Sequence, residues 1–449
     1  MSTFRLRGIW LLAAAAITVA ASPAHAQFMS ARRMAMGGVT LIHGGAGGDE
    51  ANVAARAVPP DPRQHVHSIS LPIGIIPVLQ DLPTFNTKDS TFNAFKIANL
   101  GLHLPWNIAL TKPREPMGDV TLSVAKNSLT IDLGDLRDVV PSDRVRFTTA
   151  QRGPSFVLGF KRLFAGVSPY VNVRNDFELN DALRHALHDG APFLPQTQYA
   201  FRDRGAAQVA AQAMAGAAVA LVRSNEQDSR DGVYVGARGR LLRGLAYADV
   251  DETVGFTTAD TLFGTAPLDA NLSGLMRTAQ PADGGTGHGF DAGVVFIARG
   301  VEVGIAANDL ATSIDWKVKE VATRKDTASG GYQTVTLAQG KAFTSTVPAT
   351  YLLTAETRIG EVDVAVDAAR DGFDQVSGHV GAELWMGRLA LRAGAWTDAR
   401  QDVQVSGGVG VRMSRIGFDV AVATTQSNLT RERTVDLGAG LSWYPRRKS

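Results

Sequence analysis

The sequence of 449 residues contains no cysteine. A protein without cysteine forms no disulfide bond and has no thiol nucleophile, no Fe–S ligand and no cysteine-ligated zinc site. Its stability must therefore come from a large core or from a closed sheet. The sequence also lacks a large excess of positive or negative charge. The formal net charge is +2, which argues against the broad basic field of a nucleic-acid-binding protein.

Long apolar runs are missing after residue 26, where no stretch reaches the roughly 18 apolar residues that a transmembrane helix needs. The nearest candidate is AAQVAAQAMAGAAVALV, residues 206–222. With a period of two, Gln208 and Gln212 fall on one face and Val209, Val219 and Leu221 on the other, which favours a strand. An alanine-rich helix fits nearly as well.

The first residues have the pattern of an export signal. Arg5 and Arg7 precede an apolar stretch, residues 9–21, and Ala24-His25-Ala26 matches an A-x-A cleavage site. The pattern predicts a secretory signal peptide over residues 1–26, with Gln27 as the new N-terminus. Loss of the two arginines would take the net charge from +2 to zero.

The C-terminal quarter, from Ala349 onward, divides into six segments of about ten residues in which apolar residues alternate with polar or small ones. This pattern predicts an all-β fold, a transmembrane antiparallel β-barrel of about 14 strands, within a range of about 12 to 16. A charge on the lipid face costs about 2–4 kcal/mol near the bilayer midplane, so charged residues belong on the lumen face.

Two sets of residues follow from the alternation. The predicted lumen-facing residues are Arg358, Asp363, Asp367, His379, Glu383, Arg392, Arg412, Asp419 and Asp436. The predicted lipid-facing residues are Val364, Leu384, Met386, Leu389, Leu391, Phe418, Leu441 and Trp443.

Short turns alternate with longer links along this quarter. Gly360-Glu361 and Gly387-Arg388 read as two-residue hairpin loops with glycine first, the type II′ preference. Such loops place Glu383 opposite Arg392, and Arg358 opposite Asp363. Opposite charges across two separate hairpins support this register.

Upstream, the strand pattern is thinner. Residues 119–125 with 129–133, and 155–160 with 167–173, read as hairpins; 233–241, 290–298 and 301–307 read as further strands. Apolar residues at helical spacing in NDFELNDALRHALHDG, ending at Gly190, predict a short amphipathic helix. It would lie over the barrel mouth, in the lumen or, as an ordinary loop helix, on the rim.

No pattern supports catalysis or a cofactor. His65 with His67, and His185 with His188, lack a third ligand nearby in sequence, and solvated histidines are the simpler interpretation. The glycines of residues 44–48 lack the Lys-Ser/Thr of a phosphate loop. Asp363, Asp367, Glu383 and Asp419 could be paired catalytic carboxylates, but lumen lining explains them better. The protein is expected to be no enzyme and to bind no metal or cofactor.

Short motifs carry a family resemblance. Ser30-Ala31-Arg32 followed by Met36-Gly37-Gly38 resembles the opening of the FadL-like outer-membrane barrel superfamily. The segments 287–293, 303–304, 308–310 and 315–316, with 379–383 and 391–394, resemble its TraF-like (conjugal transfer)/PorV-like branch, in which they are strand residues. The end of the chain, 436–443, looks like the assembly signal of outer-membrane barrels.

After the predicted signal peptide, residues 1–26, the resemblance implies residues 27–60 as a hatch-like segment that enters the lumen and 61–449 as the barrel. It implies a channel or transporter in the cell outer membrane of a Gram-negative bacterium, for small molecules that include hydrophobic ones. The alternative is a non-transporting barrel scaffold attached to a conjugation or secretion apparatus. A third hypothesis is a soluble periplasmic β-sandwich protein. The expected partners are outer-membrane lipid, a small hydrophobic ligand or secretion proteins, and no nucleic acid.

Overall fold

The structure is a computed structural model of the chain. It describes residues 30–42, 51–60, 67–71, 106–109, 121–125, 128–132, 144–152, 156–160, 162–225, 229–261, 268–279, 284–326, 331–397, 403–414, 416–426 and 433–443. The predicted signal peptide, the glycines of residues 44–48, His65 and the tail after Trp443 lie outside this part of the chain, and so does the Trp443 side chain.

Strands make up nearly all of the regular structure. They are β1 His67–Leu71, β2 Trp106–Ala109, β3 Thr121–Ala125, β4 Ser128–Asp132, β5 Val145–Arg152, β6 Phe156–Phe160, β7 Leu163–Leu179, β8 Gln198–Arg223, β9 Gly232–Thr258, β10 Leu268–Ala279, β11 Thr286–Ala298, β12 Val301–Lys325, β13 Tyr332–Val347, β14 Thr350–Ile359, β15 Val362–Arg370, β16 Val376–Met386, β17 Leu389–Thr397, β18 Val403–Met413, β19 Ile416–Gln426 and β20 Arg433–Trp443. The helices are α1 Ala31–Ala35, a 3₁₀ turn Val53–Ala57 and α2 Asp181–Leu187.

In the described ranges, one antiparallel sheet of 18 strands forms the wall of the barrel. Four pairs of consecutive strands run in the same direction along a single neighbour: β1 with β2 along β20, β5 with β6 along β7, and β10 with β11 and β13 with β14 along β12. The 18 strands therefore occupy 14 positions in the wall. This agrees with the prediction of about 14 strands.

The direction of the strands alternates from one position to the next. Short turns join β11 to β12, β14 to β15, β16 to β17 and β18 to β19 at one end of the wall. The longer links lie at the other end, except for residues 224–231, which join β8 to β9 at the short-turn end. The edge positions, β1/β2 and β5/β6, run in opposite directions, as antiparallel closure requires. Among the residues described, no pairing joins these two edges.

The wall has two parts of different height. From β14 to β20 each strand has 9 to 11 residues, and we call this part the short wall. From β7 to β13 most strands are longer, up to 27 residues in β9, and we call this part the tall wall. A tilted membrane strand needs about 9–11 residues. The tall wall therefore continues beyond the long-link end of the short wall.

Helix α2 packs on the outward face of the tall wall, near the long-link end. Asn180 caps it, its side chain accepting from Leu183 N–H at 2.9 Å, and Gly190 adopts a φ of +69° after it. Its residues Leu183 and Ala186 form a core with Phe193 and Tyr199, and β4 lies against them. Tyr199 shares a face of β8 with Val209, which is exposed. The helix thus lies on the outside of the wall, the rim position among the predicted alternatives.

The upstream hairpins form with shifted boundaries. Residues 206–222 are part of β8, which confirms the strand, and Gln208 and Gln212 are buried on its inward face. Strand β7 begins at Leu163, so the loop after β6 is shorter than predicted. The short wall contains seven strands, because Thr350–Ile359 precedes the six predicted segments. In the part of the chain that the structure describes, no helix is long and apolar enough to cross a membrane.

Candidate functional site

The inward face of the short wall carries the charged side chains, and its outward face carries exposed apolar ones. Of the predicted lumen-facing residues, Arg358, His379 and Arg412 are half-buried; the buried ones are Asp363, Asp367, Glu383, Arg392, Asp419 and Asp436. Among the predicted lipid-facing residues, Val364, Leu384 and Leu389 are half-exposed; the exposed ones are Met386, Leu391, Phe418 and Leu441.

The predicted hairpin register is confirmed. Glu383 pairs with Arg392 and Met386 with Leu389 across one hairpin, and Arg358 pairs with Asp363 across the other. Gly360 and Gly387 have φ of +62° and +64°. A positive φ at the first central residue is what a type II′ turn requires. The Arg358 guanidinium donates two hydrogen bonds to the Asp363 carboxylate, at 2.7 and 2.8 Å.

Helix α1 adds a third charge to the Glu383–Arg392 pair. Arg32 donates two hydrogen bonds to the Glu383 carboxylate, and Arg392 donates one more to it. Arg392 also donates to Asp419 Oδ1 at 2.7 Å. We call these four side chains the segment cluster; all are less than a tenth exposed. Two arginines and two carboxylates balance, so that no buried charge lacks a counter-charge.

The backbone after α1 is held by side chains of the inward face. Gly37 N–H donates to Ser406 Oγ at 2.9 Å, and Ser406 in turn donates to Ala35 O at 3.1 Å. Further along, Thr40 N–H donates to Asp367 Oδ2 at 2.6 Å, and Ile42 N–H donates to Glu356 Oε2 at 3.0 Å. A buried irregular segment must satisfy its backbone N–H groups in this way. The short wall supplies acceptors for these N–H groups from three of its strands, β14, β15 and β18.

Residues 51–60 are held in the same way by the tall wall. Asn52 donates to the carbonyl oxygens of Val294 and Ile305 at 3.2 and 3.3 Å, while its own Oδ1 caps the 3₁₀ turn. Asn308 donates to Ala51 O at 2.9 Å. Residues 30–42 and 51–60 therefore contact inward faces from β8 to β20, and the wall curves around them. We call these two stretches together the N-terminal segment.

Glycines on the inward face mark where this segment approaches the wall. A Cβ at Gly394 would meet Gly37 N at 2.1 Å, and one at Gly381 would meet Met36 O at 2.4 Å. A Cβ at Gly293 would meet Asn52 Oδ1 at 2.0 Å. Backbone can pack this closely only where the wall has no side chain.

The tall wall fills part of its interior with its own side chains. Tyr170 on β7 donates to Asp309 on β12 at 3.2 Å, and Ser345 on β13 donates to Gln208 on β8 at 2.7 Å. Between them lies an apolar cluster that includes Trp316, stacked on Tyr247 with ring centroids 5.3 Å apart. The inward faces of non-adjacent strands therefore touch each other across the interior.

A second buried ionic cluster lies next to these residues. Arg238 and Arg240 both pair with Asp291, at 2.6 and 3.1 Å, and Arg240 also pairs with Asp309 at 2.7 Å. We call these four side chains the wall cluster. It has the same charge balance as the segment cluster, but every member belongs to the wall.

Of the two histidine pairs, the structure describes the side chains of His185 and His188 only. His185 Nδ1 hydrogen-bonds Asp189 in the loop after α2, and the His67 side chain is outside the description. His379 hydrogen-bonds Asp367, which holds the segment. Within the described ranges, no group of three or more His, Asp or Glu side chains is placed to hold a metal ion.

The alternation in the sequence predicted which charged residues face inward in the short wall. It did not predict that these residues bind the N-terminal segment. Arg32 stood in the quoted motif with no partner assigned to it, and Glu356, Asn52 and Ser406 were not singled out. Glu356 lies two residues from Arg358 on the same face of β14, so the alternation could have found it. The contact with Arg32 spans 351 residues of sequence, and no local pattern encodes it.

Comparisons with known proteins give distant likenesses. No family model matches the chain, and neither does any curated protein. A solved structure of the toluene transporter TodX of Pseudomonas putida has a TM-score of 0.33 and 12% identity, covering 67% of this chain and 88% of that one. Outer membrane phospholipase A of Escherichia coli has a TM-score of 0.22 and 8% identity, covering 52% of this chain and 80% of that one. A Rh. blastica porin mutant has a TM-score of 0.20 and 10% identity, covering 55% of this chain and 100% of that one. Likenesses this distant carry no argument about activity.

Proposed function

We propose that the protein is an outer-membrane β-barrel that conducts small, preferably apolar molecules and that its own N-terminal segment closes it. Membrane placement is supported by the outward face of the short wall, where large apolar side chains such as Val405 and Val409 are exposed in successive rows. A water-soluble β-sandwich would not leave such a face uncovered. The opening motif at Ser30 and the segment inside the wall agree with the FadL-like resemblance.

The proposal that the N-terminal segment opens and closes the barrel rests on the way in which this segment is bound to the wall. Buried arginine, carboxylate, hydroxyl and amide groups hold it, each through hydrogen bonds that water could replace. The segment also packs apolar side chains on the wall, such as Ile42 on Val295 and Met34 on Ala421. As a separable plug, it would on departure leave an inward face of polar groups beside apolar patches. The buried carboxylates would then line a passage, as the sequence predicted for the lumen.

A cross-link tests this proposal directly. Since the chain has no cysteine, Ala35→Cys with Ser406→Cys introduces one disulfide between the segment and β18. In proteoliposomes we measure uptake of a small aromatic hydrocarbon, and swelling in a small sugar. Oxidised protein should be closed to both, and reduction should restore transport to the level of the unmodified protein. Arg32→Ala should exceed that level. The control is Arg388→Ala, at an exposed turn.

A second function is supported by the packed interior of the tall wall. Trp316 and its neighbours leave that part of the inside occupied by the wall itself, as expected of a scaffold for a secretion or conjugation apparatus. If the protein is inserted, by heat-modifiable gel mobility, and neither reduction nor Arg32→Ala opens it, the scaffold is the better description. A protein found only in the soluble periplasm would contradict both functions.

A further inference from the structure

Three cations are exposed on the outward face of the tall wall. Arg243 lies on β9, and Lys317 and Lys319 lie on β12, two strand positions away, with β10 and β11 at the position between them. Strands lie about 4.8 Å apart and side chains on one face repeat about every 6.6 Å, so the three side chains begin within roughly 16 Å of each other. By contrast, the outward residues in the interiors of the short-wall strands are uncharged.

These cations have no protein counter-charge in the described part of the chain. None of the three forms an ion pair or a hydrogen bond there. One acid shares their face: Asp315, whose Oδ1 accepts from the Thr344 hydroxyl at 2.6 Å. Elsewhere on the tall wall, exposed basic residues do find acids, as Arg202 does with Asp251. Among the described residues, the group is thus a net positive surface.

The position of the three cations along the strands indicates which class of anion they could bind. Toward the turn end, the outward face next to these cations is apolar and exposed: Leu241, Phe290, Val294, Phe296 and Ile305. Arg243 is the next outward residue after Leu241 on β9, about twelve residues from the start of the strand at Gly232. A membrane strand uses about 9–11 residues. The cations therefore begin where the apolar belt ends.

Outer-membrane barrels have short turns on the periplasmic side and longer loops outside, which puts the long-link end and these cations toward the outer leaflet. We propose that Arg243, Lys317 and Lys319 form a binding surface for the phosphate groups of a phosphorylated glycolipid in the outer leaflet, with the acyl chains on the apolar belt below. Arginine and lysine bind phosphate through charge-assisted hydrogen bonds, and their apolar stems can lie along the exposed Leu245. This inference rests on the outer-membrane placement in the proposed function, but not on transport.

The test measures binding of purified lipopolysaccharide to the detergent-solubilised full chain, with enzymatically dephosphorylated lipopolysaccharide as the second probe. The variant Arg243→Ala/Lys317→Ala/Lys319→Ala should bind the phosphorylated form at least tenfold more weakly, and should lose most of the salt dependence. Asp315→Asn should bind two- to fivefold more tightly. The matched control Arg299→Ala/Arg388→Ala/Arg412→Ala removes three cations at the turn end and should bind as the parent does.

Equal binding by the triple variant and its parent, or equal binding of the dephosphorylated lipid, would overturn the proposal. So would inhibition by millimolar inorganic phosphate alone, because that would indicate a site for the free ion. Heat-modifiable mobility is measured on every sample. A parent that never inserts contradicts the outer-membrane placement itself, whereas an inserted parent with unaltered variants contradicts only the lipid surface.

Discussion

The short wall and the tall wall neutralise their buried charges in different ways. Each encloses buried charges, and each has a neutral cluster of two arginines and two carboxylates. In the short wall the segment cluster is incomplete without Arg32, which comes from outside the wall. In the tall wall the described ion pairs of the wall cluster join wall residues to each other. The short wall therefore depends on a separable part for one of its buried ion pairs. Such a division suits a barrel that opens on one side.

The largest effect should come from Glu383→Ala. This change leaves Arg32 and Arg392 buried without the carboxylate that both contact, and losing one partner of a buried ionic group costs about 3–5 kcal/mol. We expect a large fall in the urea midpoint of the protein in lipid vesicles. Glu361→Ala, an identical change at an exposed turn, is the control. Similar midpoints for the two variants would mean that the segment cluster does not support the short wall.

Gly394→Ala should act on the segment alone. A Cβ there meets Gly37 N at 2.1 Å and Met36 C at 2.2 Å, so the segment must shift, at about 1–3 kcal/mol for overpacking. Trypsin should then cut after Arg32 or Arg33 faster than in the parent, while the wall stays folded by gel mobility. At Gly407 on β18 the nearest atom to such a Cβ is Arg392 O at 3.5 Å. Gly407→Ala is therefore expected to leave cleavage unchanged, and faster cleavage there would refute this account.

The sequence predicted the short wall much better than the tall wall, for physical reasons. A strand with lipid on one side and polar groups on the other must alternate strictly, and short turns need glycine at set positions; Glu383, Arg392 and Gly387 are therefore readable from local pattern. In the tall wall the outward face packs on α2 near Tyr199, and the inward face packs on itself at Trp316. Alternation weakens there. The attachment of Arg32 depends on folding across the whole chain.

Ser345→Ala probes the interior of the tall wall. Ser345 Oγ accepts from Trp316 Nε1 at 2.9 Å and donates to Gln208 Oε1 at 2.7 Å. Removing this hydroxyl should cost about 1–3 kcal/mol, because it leaves the buried Trp316 Nε1–H without its acceptor. Trypsin cleavage after Arg33 should not change, since no segment residue contacts this hydroxyl. Ser313→Ala, on the outward face of β12, is the matched control. Faster segment cleavage in Ser345→Ala would show that the two parts of the wall are coupled.

The most local effect concerns a pair of like charges in the outer part of the tall wall. Glu252 on β9 lies opposite Asp203 on β8, some nine residues beyond Arg243 and therefore past the apolar belt. Both are buried, Asp203 accepts from Asn175 at 2.8 Å, and Glu252 Oε2 has no hydrogen-bond partner in the described structure. Residue 274 of β10, a glycine opposite Glu252, offers no charge. The pair contrasts with Glu383, which two arginines neutralise.

This arrangement makes the outer part of the tall wall sensitive to pH. Burial, with a smaller contribution from the nearby Asp203, raises the pKa of Glu252 from 4.5 to about 7. A folded-state pKa above the unfolded value means that the protonated form stabilises. That contribution is complete below pH 4.5 and is lost as pH rises toward 7. Glu252→Gln cannot ionise, so it should match the parent at pH 4.5 and exceed it at pH 8. Hydrogen exchange of residues 246–258, corrected for intrinsic rates, measures this. A parent whose outer part becomes more protected between pH 5 and 8 would contradict the assignment, because it would place the stabilising form of Glu252 on the ionised side.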